Sequence, residues 1–336
     1  MNKVEVIVEI GQAHDGSLGI LHSYIDAVAS SGADVIKFQT HIAEAESSLQ
    51  EPFRVKFSYE DETRFDYWKR MEFTISQWEE IKNHCELVGL EFMSSPFSLA
   101  AVDLLENLNV NRYKIASGEI NNLLMLEKIA RTGKPIILSS GMSSFSELEK
   151  TIEFLKPFGN ELSIMQCTTA YPTAPEQVGL NVIKLMQEKF RLMTGLSDHS
   201  GTIFPSLAAV TLGASLIEVH AVFHKKIFGP DTIASLTIEE LTELVKGVRF
   251  ISKAIDNPID KNENGQFVEL KKIFEKTLAV NKNLTVGHIL TQDDLESKKP
   301  TNCGLPVSDF KRVIGRKLKK SLNRYDFLKK EDLENE

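Results

Sequence analysis

The chain has 336 residues, 42% hydrophobic and 26% charged, values of an ordinary folded protein rather than a disordered or fibrous one. Its formal net charge of -8 argues against nucleic acid or an anionic membrane as the main partner, and no stretch approaches the ~20 apolar residues of a membrane span. Cys85, Cys167 and Cys303 are widely spaced and odd in number, so they form neither a disulfide framework nor a zinc spacing and suit a reducing compartment.

The N-terminus runs directly into VEVIVEIG, without a basic segment, long apolar core or cleavage site, so a soluble cytoplasmic protein is expected. From there to about residue 255 two kinds of segment alternate. The short kind is a near-continuous apolar run: Val4–Ile10, Asp34–Gln39, Leu90–Ser94, Arg112–Ala116, Pro135–Ser139, Leu162–Cys167, Leu192–Leu196 and Leu216–Val222. Such runs suit parallel strands covered on both faces. The long kind is amphipathic at helical spacing, as in Leu21–Ala29, Ile75–Leu87, Leu123–Arg131, Phe145–Leu155 and Leu241–Ile255. Eight such strand–helix units predict a closed α/β barrel, the (β/α)₈ TIM barrel, over residues 1–255. A doubly wound sheet would carry a glycine-rich turn after its first strand, and Gly11–Gly16 lacks that pattern.

Residues 43–70 interrupt the rhythm with charges and scattered aromatics. They read either as a lid over a substrate or as a surface excursion packed by its own rings. Packing is the better reading of Phe65–Phe73. Residues 256–273 begin with a polar run, DNPIDKNENGQ, and read as a linker. Residues 274–336 are Lys-rich and predict a small α+β module of short strands, tight turns and a short final helix.

In a barrel of this kind, functional side chains sit at the C-terminal strand ends. Those ends offer Glu9, with His14 and Asp15 in its loop; Lys37 and Gln39, two apart and so on one face; and Ser94 and Ser95. Further on come Lys114, Ser117 and Glu119, then Ser139, then Gln166, Thr169 and Tyr171. Strand seven ends in Ser197, Asp198 and His199, and strand eight in Glu218 and His220 before Asp231. Lysines and serines suit phosphate or carboxylate oxygens; histidines and carboxylates suit a divalent cation or proton transfer. Cys167 stands among apolar residues with no partner histidine evident, and reads as buried and structural.

Motifs occur in the order EIGQAHDGSLG, IKFQTH, SSPFS, YKIASGEINN, ILSSGM, QCTTAYP, GLSDHSG, IEVHAVF and FGPD. Together they resemble the sialic acid synthase family, which makes nonulosonic acids. The tail, with AVNKNLTVGHILTQDDL and KKPTNCGLP, resembles its C-terminal antifreeze-like (SAF) domain. The resemblance spans almost the whole chain. It implies a transferase that condenses phosphoenolpyruvate with an N-acylated amino sugar, using Mn²⁺ or Mg²⁺ and releasing phosphate. By motif match it implies His199 and His220 as metal ligands. Lys37, Ser95, Lys114, Ser117, Ser139 and Ser197 would bind phosphoenolpyruvate. Glu119, Glu9 and Gln39 would serve catalysis, and Tyr171, Asp231 and Lys299 the sugar. It further implies a homodimer in which each SAF domain caps the neighbour's barrel.

The sequence departs from the family pattern at Ala13, Thr169, Thr232 and in Lys298–Thr301, where the usual K-R-P-G reads K-K-P-T. A lysine cannot reproduce a bidentate guanidinium contact. These changes fall on the sugar half, so the expected acceptor is a modified or deoxygenated diacetamido sugar rather than plain N-acetylmannosamine. The alternatives are another phosphoenolpyruvate–aldose condensing enzyme on the same barrel and a non-catalytic sugar-phosphate-binding barrel. A Schiff-base aldolase is disfavoured because strand six ends in Gln166–Cys167–Thr168, without a lysine.

Overall fold

The computed structural model describes residues 3–55, 57–263 and 265–334. It divides into two compact units, which meet in the chain at Asn257 and Pro258. In the first unit the apolar runs form parallel strands β1 (Glu5–Glu9), β2 (Val35–Thr40), β3 (Glu91–Pro96), β4 (Tyr113–Ile115), β5 (Ile136–Ser139), β6 (Leu162–Cys167), β7 (Met193–Asp198) and β8 (Leu216–Val222). Their lateral order is 3-2-1-8-7-6-5-4, with a short strand β9 (Leu236–Thr237) pairing β8. β3 and β4 lie side by side at the seam without ladder pairs among the described residues, so the barrel is nearly closed.

Helix α1 (Leu18–Ser31) follows β1. Helices α2 (Ala43–Glu46), α3 (Arg64–Met71) and α4 (Ile75–Leu87) follow β2. Then α5 (Leu99–Asn107), α6 (Leu123–Ala130), α7 (Phe145–Leu155), α8 (Leu180–Phe190), α9 (Phe204–Thr211) and α10 (Ile238–Asp256) follow one strand each. The starts are written locally. Thr74 with Gln77, Ser144 with Glu147 and Thr237 with Glu240 each form a reciprocal capping box. Their apolar faces close the main core against the outside of the strands.

The inside of the barrel explains where polar chemistry can sit. Ile7, Val35, Met93, Ile137, Met165 and Leu216 form one buried apolar layer. Two residues further along each strand, on the same inward face, stand Glu9, Lys37, Ser95, Ser139, Cys167 and Glu218. Each lower side chain contributes roughly 1.5–3 kcal/mol by its burial and seals that end against water. The polar layer above it is therefore held in a dry environment. Gly195 lets β7 approach β8, because a Cβ there would lie 2.4 Å from the Leu216 carbonyl oxygen.

The second unit has its own core, formed by residues such as Leu278, Leu284, Leu318 and Leu322. Strands β10 (Thr277–Val280) and β11 (Leu295–Lys298) pair antiparallel. The connecting stretch is not featureless, since α11 (Val268–Phe274) forms within it; α12 (Phe310–Val313) is a single turn, and the last helical element among the described residues is a 3₁₀ turn, Lys330–Asp332. The unit contains a quiet repeat: Lys282, Leu284, Leu290, Asp294 and Leu295 recur at constant spacing as Lys320, Leu322, Leu328, Asp332 and Leu333. Leu284 and Leu322 exchange both backbone hydrogen bonds, at 2.8 and 2.9 Å. Gly287 (φ 84°) and Tyr325 (φ 78°) occupy equivalent left-handed positions. Asp294 and Asp332 each cap a 3₁₀ turn and pair with their own lysine at 2.7 Å.

Candidate active site

The C-terminal strand ends open into a cavity of about 390 Å³, within the range of small-molecule sites. Lys37 and Lys114 lie at its floor, both almost completely buried. Neither ammonium is left alone. Lys114 Nζ donates to both oxygens of Glu218 at 2.9 Å, and Ser197 Oγ donates to Glu218 Oε1 at 3.0 Å. Lys37 pairs with Glu9, donates to Ser95 Oγ at 3.4 Å, and lies 3.9 Å from Glu218 Oε1. Burial pushes Lys37 down to about 7, although Glu218 pulls the other way. Burial would raise the Glu218 carboxyl, but Lys114 and Lys37 outweigh it and hold it well below the usual carboxylate range.

Beside this floor stand the two histidines, with ring centroids 5.2 Å apart. His199 Nδ1 lies 3.0 Å from the Thr168 carbonyl oxygen, which can only accept, so Nδ1 carries the hydrogen. That leaves a lone pair on Nε2, which faces the Tyr171 hydroxyl at 3.2 Å. Burial, reinforced by the neighbouring His220, pushes His199 down to about 3; burial and then Lys37 do the same for His220. Both rings are therefore neutral near pH 7. Two neutral imidazoles, one with its tautomer fixed by a backbone carbonyl, are the donor type a divalent cation takes. Among the described residues no group of three or more His, Cys, Asp or Glu side chains forms a ready metal cage.

Most of the remaining predicted residues line the same cavity, whereas Ser94, Gln166 and Asp198 are buried outside its lining. Ser117 Oγ accepts from Gly141 N–H at 3.0 Å; a Cβ on Gly141 would fall 2.7 Å from that oxygen, which fixes glycine there. Ser139 and Thr169 also face the cavity. Glu119 accepts from Asn122 Nδ2 at 2.7 Å, and burial raises its carboxyl despite that bond. Gln39 is held by Gln12 and by His41, whose Nε2 lies 3.1 Å from Gln39 Oε1. Tyr171 stacks on His199 with centroids 4.2 Å apart, and the Arg54 guanidinium sits 4.2 Å from the Tyr171 centroid. Asp231 pairs with that same Arg54. Lys299 belongs to the second unit, where its ammonium lies 4.8 Å from the Phe274 ring centroid. Ala13 and Thr232 line a small adjoining cavity against His220.

Cys167 is buried, as the sequence reading expects, but its neighbours differ from that reading. Cys167 does have a histidine beside it, since its Sγ lies 3.9 Å from His199 Nδ1 and 3.7 Å from Ser117 Oγ. The pairing of β6 with β7, with Cys167 opposite Ser197, brings them together. Burial raises its thiol. The insertion after β2 is packed by its own rings and also reaches the cavity. Ala43, Tyr67, Trp68 and Met71 form its own small core, and Arg54, Tyr67 and Trp68 line the cavity.

Glu218, named above only as one of the strand-end residues and given no role by the resemblance, organises the floor. Sequence reasoning missed His41, which stacks between Trp68 (3.8 Å) and Phe97 (4.4 Å) and bonds Glu46 at 2.6 Å.

A barrel with buried lysines, hydroxyls and paired imidazoles at one mouth, followed by a separate small module, is the build of a barrel synthase with a C-terminal accessory domain. Residues 24–260 match the NeuB family and residues 275–334 match the SAF domain. The chain belongs to the NeuB family, and with it is an enzyme of the carbon–carbon bond-forming transferase type. It is similar along nearly its whole length to N,N'-diacetyllegionaminic acid synthase of Campylobacter jejuni, at 34% identity over 94% of this chain and 96% of that protein. Human N-acetylneuraminate-9-phosphate synthase is 34% identical over 98% and 92% of the two chains. Pseudaminic acid synthase of Helicobacter pylori is 31% identical over 98% of both. Among solved structures, the N-acetylneuraminic acid synthetase of Leptospira borgpetersenii, in complex with citrate, aligns with a TM-score of 0.71 at 29% identity. That alignment covers 80% of this chain and 91% of the other. No helix among the described residues is long and apolar enough to cross a membrane.

Proposed function

We propose that this protein condenses phosphoenolpyruvate with the open-chain form of an N-acylated amino sugar, giving a nonulosonic acid and inorganic phosphate. The observation that carries the reading is the floor of the cavity. Two buried lysines and four serines converge beside a pair of neutral histidines. Lys37 and Lys114 match the two anionic ends of phosphoenolpyruvate, with Ser95, Ser117, Ser139 and Ser197 supplying hydroxyl hydrogen bonds. His199 and His220 would hold Mn²⁺ or Mg²⁺, which when bound supplies Lewis-acid polarisation of the sugar aldehyde.

The protein's own groups then have distinct tasks. The methylene carbon of phosphoenolpyruvate bonds to the aldehyde carbon, and positive charge develops at C2, above the carboxylate-rich floor of Glu9 and Glu218. Water adds at C2, and the tetrahedral product expels phosphate. Glu119 is the group to take the proton of that water. Burial raises its carboxyl, which makes it the stronger base, whereas the Gln39 amide cannot take a proton and is anchored by Gln12 and His41. Gln39 therefore orients, and Tyr171 and Asp231 meet the sugar.

The relatives named above are synthases of different acids at almost equal identity, so overall similarity does not choose the acceptor. The departures at Ala13, Thr169, Thr232 and Lys299 support a 2,4-diacetamido-trideoxy sugar. The deciding experiment follows phosphate release from phosphoenolpyruvate with N-acetylmannosamine, its 6-phosphate and 2,4-diacetamido-trideoxyhexoses, with and without Mn²⁺. Metal-dependent release with the diacetamido sugar is expected. Equal turnover of N-acetylmannosamine at low KM would overturn the acceptor assignment, and no release with any sugar would overturn the reaction. The SAF domain is proposed to cap the neighbouring barrel of a homodimer. A chain ending near Asn257 should stay folded and lose activity; full activity would refute that role.

A further inference from the structure

We infer that Arg54 is an acceptor-binding residue, which with Asp231 forms a donor–acceptor pair that reads an acylamino group of the sugar. The inference rests on the synthase reading above and assigns a residue and a chemistry to its sugar end.

The three arginines of the insertion behave differently. Arg64 pairs with Glu51 of the same segment at 3.3 Å, and its guanidinium lies 4.6 Å from the Trp68 ring centroid. Arg70 donates to Asp61, also of the segment, at 2.8 Å, and to Asp15 in the loop after β1 at 2.7 Å. Both are structural ties, within the insertion or from it to that loop. Arg54 makes no such tie within the insertion among the described residues: it lines the cavity and reaches across 177 positions of sequence to Asp231 after β8. Its guanidinium lies over Tyr171, whose ring is stacked on His199. It therefore stands one aromatic ring away from the imidazole pair.

Both partners are steadied before any ligand arrives. The Asp231 backbone carbonyl accepts from Ala234 N–H at 3.0 Å and Ser235 Oγ at 2.8 Å, which fixes the turn. Arg54 is fixed by the carboxylate at its edge and by the ring beneath it. Both keep capacity to spare. A guanidinium has five N–H donors and a carboxylate about four lone-pair sites, and the pair uses one of each. The Arg54 side chain is still 39% exposed and lines the cavity.

A neighbouring donor and acceptor of this kind complement an amide. The acyl carbonyl accepts from the guanidinium while the amide N–H donates to the carboxylate. A hydroxyl in its place cannot satisfy both partners at the amide spacing. A free amine, protonated near neutral pH, can donate to Asp231 but offers no carbonyl to Arg54 and is repelled by its charge. The pair thus discriminates by repulsion as well as by attraction.

The test is a cycle between protein and ligand. Binding of 2,4-diacetamido-trideoxymannose, and of analogues with a hydroxyl or free amine in place of one acetamido group, is measured calorimetrically on the wild-type chain and on Arg54→Ala. Steady-state phosphate release is followed in parallel. Arg54→Ala should weaken the diacetamido sugar about ten- to a hundredfold and leave the KM for phosphoenolpyruvate within about twofold. One of the analogues should be weakened as much on the wild type and lose nothing further on the variant. Arg54→Gln, which keeps an N–H donor, should recover part of the loss. Independent, multiplying losses for every analogue, or a common rise in both KM values with unchanged acyl preference, would overturn the inference and leave Arg54 as a latch. Absence of phosphate release from the wild type, with acyl-dependent binding still lost in Arg54→Ala, would reject the synthase reading and keep the subsite.

Discussion

Lys114 and Glu218 meet inside the barrel as a two-pronged pair, with one ammonium 2.9 Å from each carboxylate oxygen. The pair sits directly above the apolar layer, where neither charge can be solvated. Removing one partner therefore strands the other. Lys114→Met should cost about 3–5 kcal/mol of stability, because Glu218 keeps only Ser197 and the more distant Lys37. Glu218→Gln should cost a similar amount, since Lys114 loses its counter-charge. The double variant should lose clearly less than the two single losses added together, as measured by urea unfolding. Strict additivity would mean that the two groups do not depend on each other.

The histidine pair makes a second prediction. Phosphate release should stop on treatment with a chelator and return with Mn²⁺. His199→Ala and His220→Ala should each weaken Mn²⁺ binding by on the order of a hundredfold, followed by the electron paramagnetic resonance of the free ion. The direct binding readout matters because either variant could lose activity for another reason. Unchanged Mn²⁺ affinity in both variants would place the cation elsewhere.

What could be read from the sequence and what could not divide along a physical line. The strands were legible because parallel strands buried on both faces are continuous apolar runs. Even β4, only Tyr113–Ile115, announced itself through its neighbours in the alternation. Strand-end residues were legible because chain direction alone assigns them to one mouth. The pairing of Lys114 with Glu218 was not, since it depends on side-chain reach across the barrel between positions 104 apart. The same holds for Cys167 beside His199 and for Arg54 on Asp231. The Lys282–Leu295 and Lys320–Leu333 repeat was written in the sequence. Few of its positions are identical, and its meaning lies in the paired backbones of Leu284 and Leu322.

That repeat supplies a pH prediction. Burial would raise the Asp294 carboxyl, but Lys282, His288 and Thr291 all bond it and hold it far below its ordinary 3.8. A carboxyl depressed on folding stabilises the folded form above its unfolded pKa. That contribution is lost as pH falls through the lower folded value. The second unit should therefore weaken progressively below about pH 4, with little change from this group between pH 5 and 8. Asp294→Asn should be less stable at neutral pH and show a flatter acid limb. Opening free energies of residues 277–334 from hydrogen exchange, corrected for intrinsic rates, report both. An acid limb as steep in Asp294→Asn as in the wild type would assign it to other carboxylates.

The barrel seam gives the last prediction. No ladder pairs join β3 to β4 among the described residues, yet the strands stay side by side. At their N-terminal ends Arg112, just before β4, forks onto Glu91 of β3 at 2.9 and 2.8 Å. The same guanidinium reaches Glu5 of β1 at 2.8 Å. One side chain thus ties three strands across the place where backbone bonds are missing. Arg112→Met removes the fork and leaves two carboxylates close together, at a cost of about 2 kcal/mol, or roughly 4–8 °C in Tm. Arg112→Lys keeps the charge but cannot hold both carboxylates in the same plane, so it should recover less than half. The loss should be local first, with amide exchange rising in β3 and β4 before β6 and β7. The KM values should stay near wild type, because the cavity opens at the opposite strand ends. A uniform rise in exchange around the barrel would mean that Arg112 supports the whole unit rather than its seam.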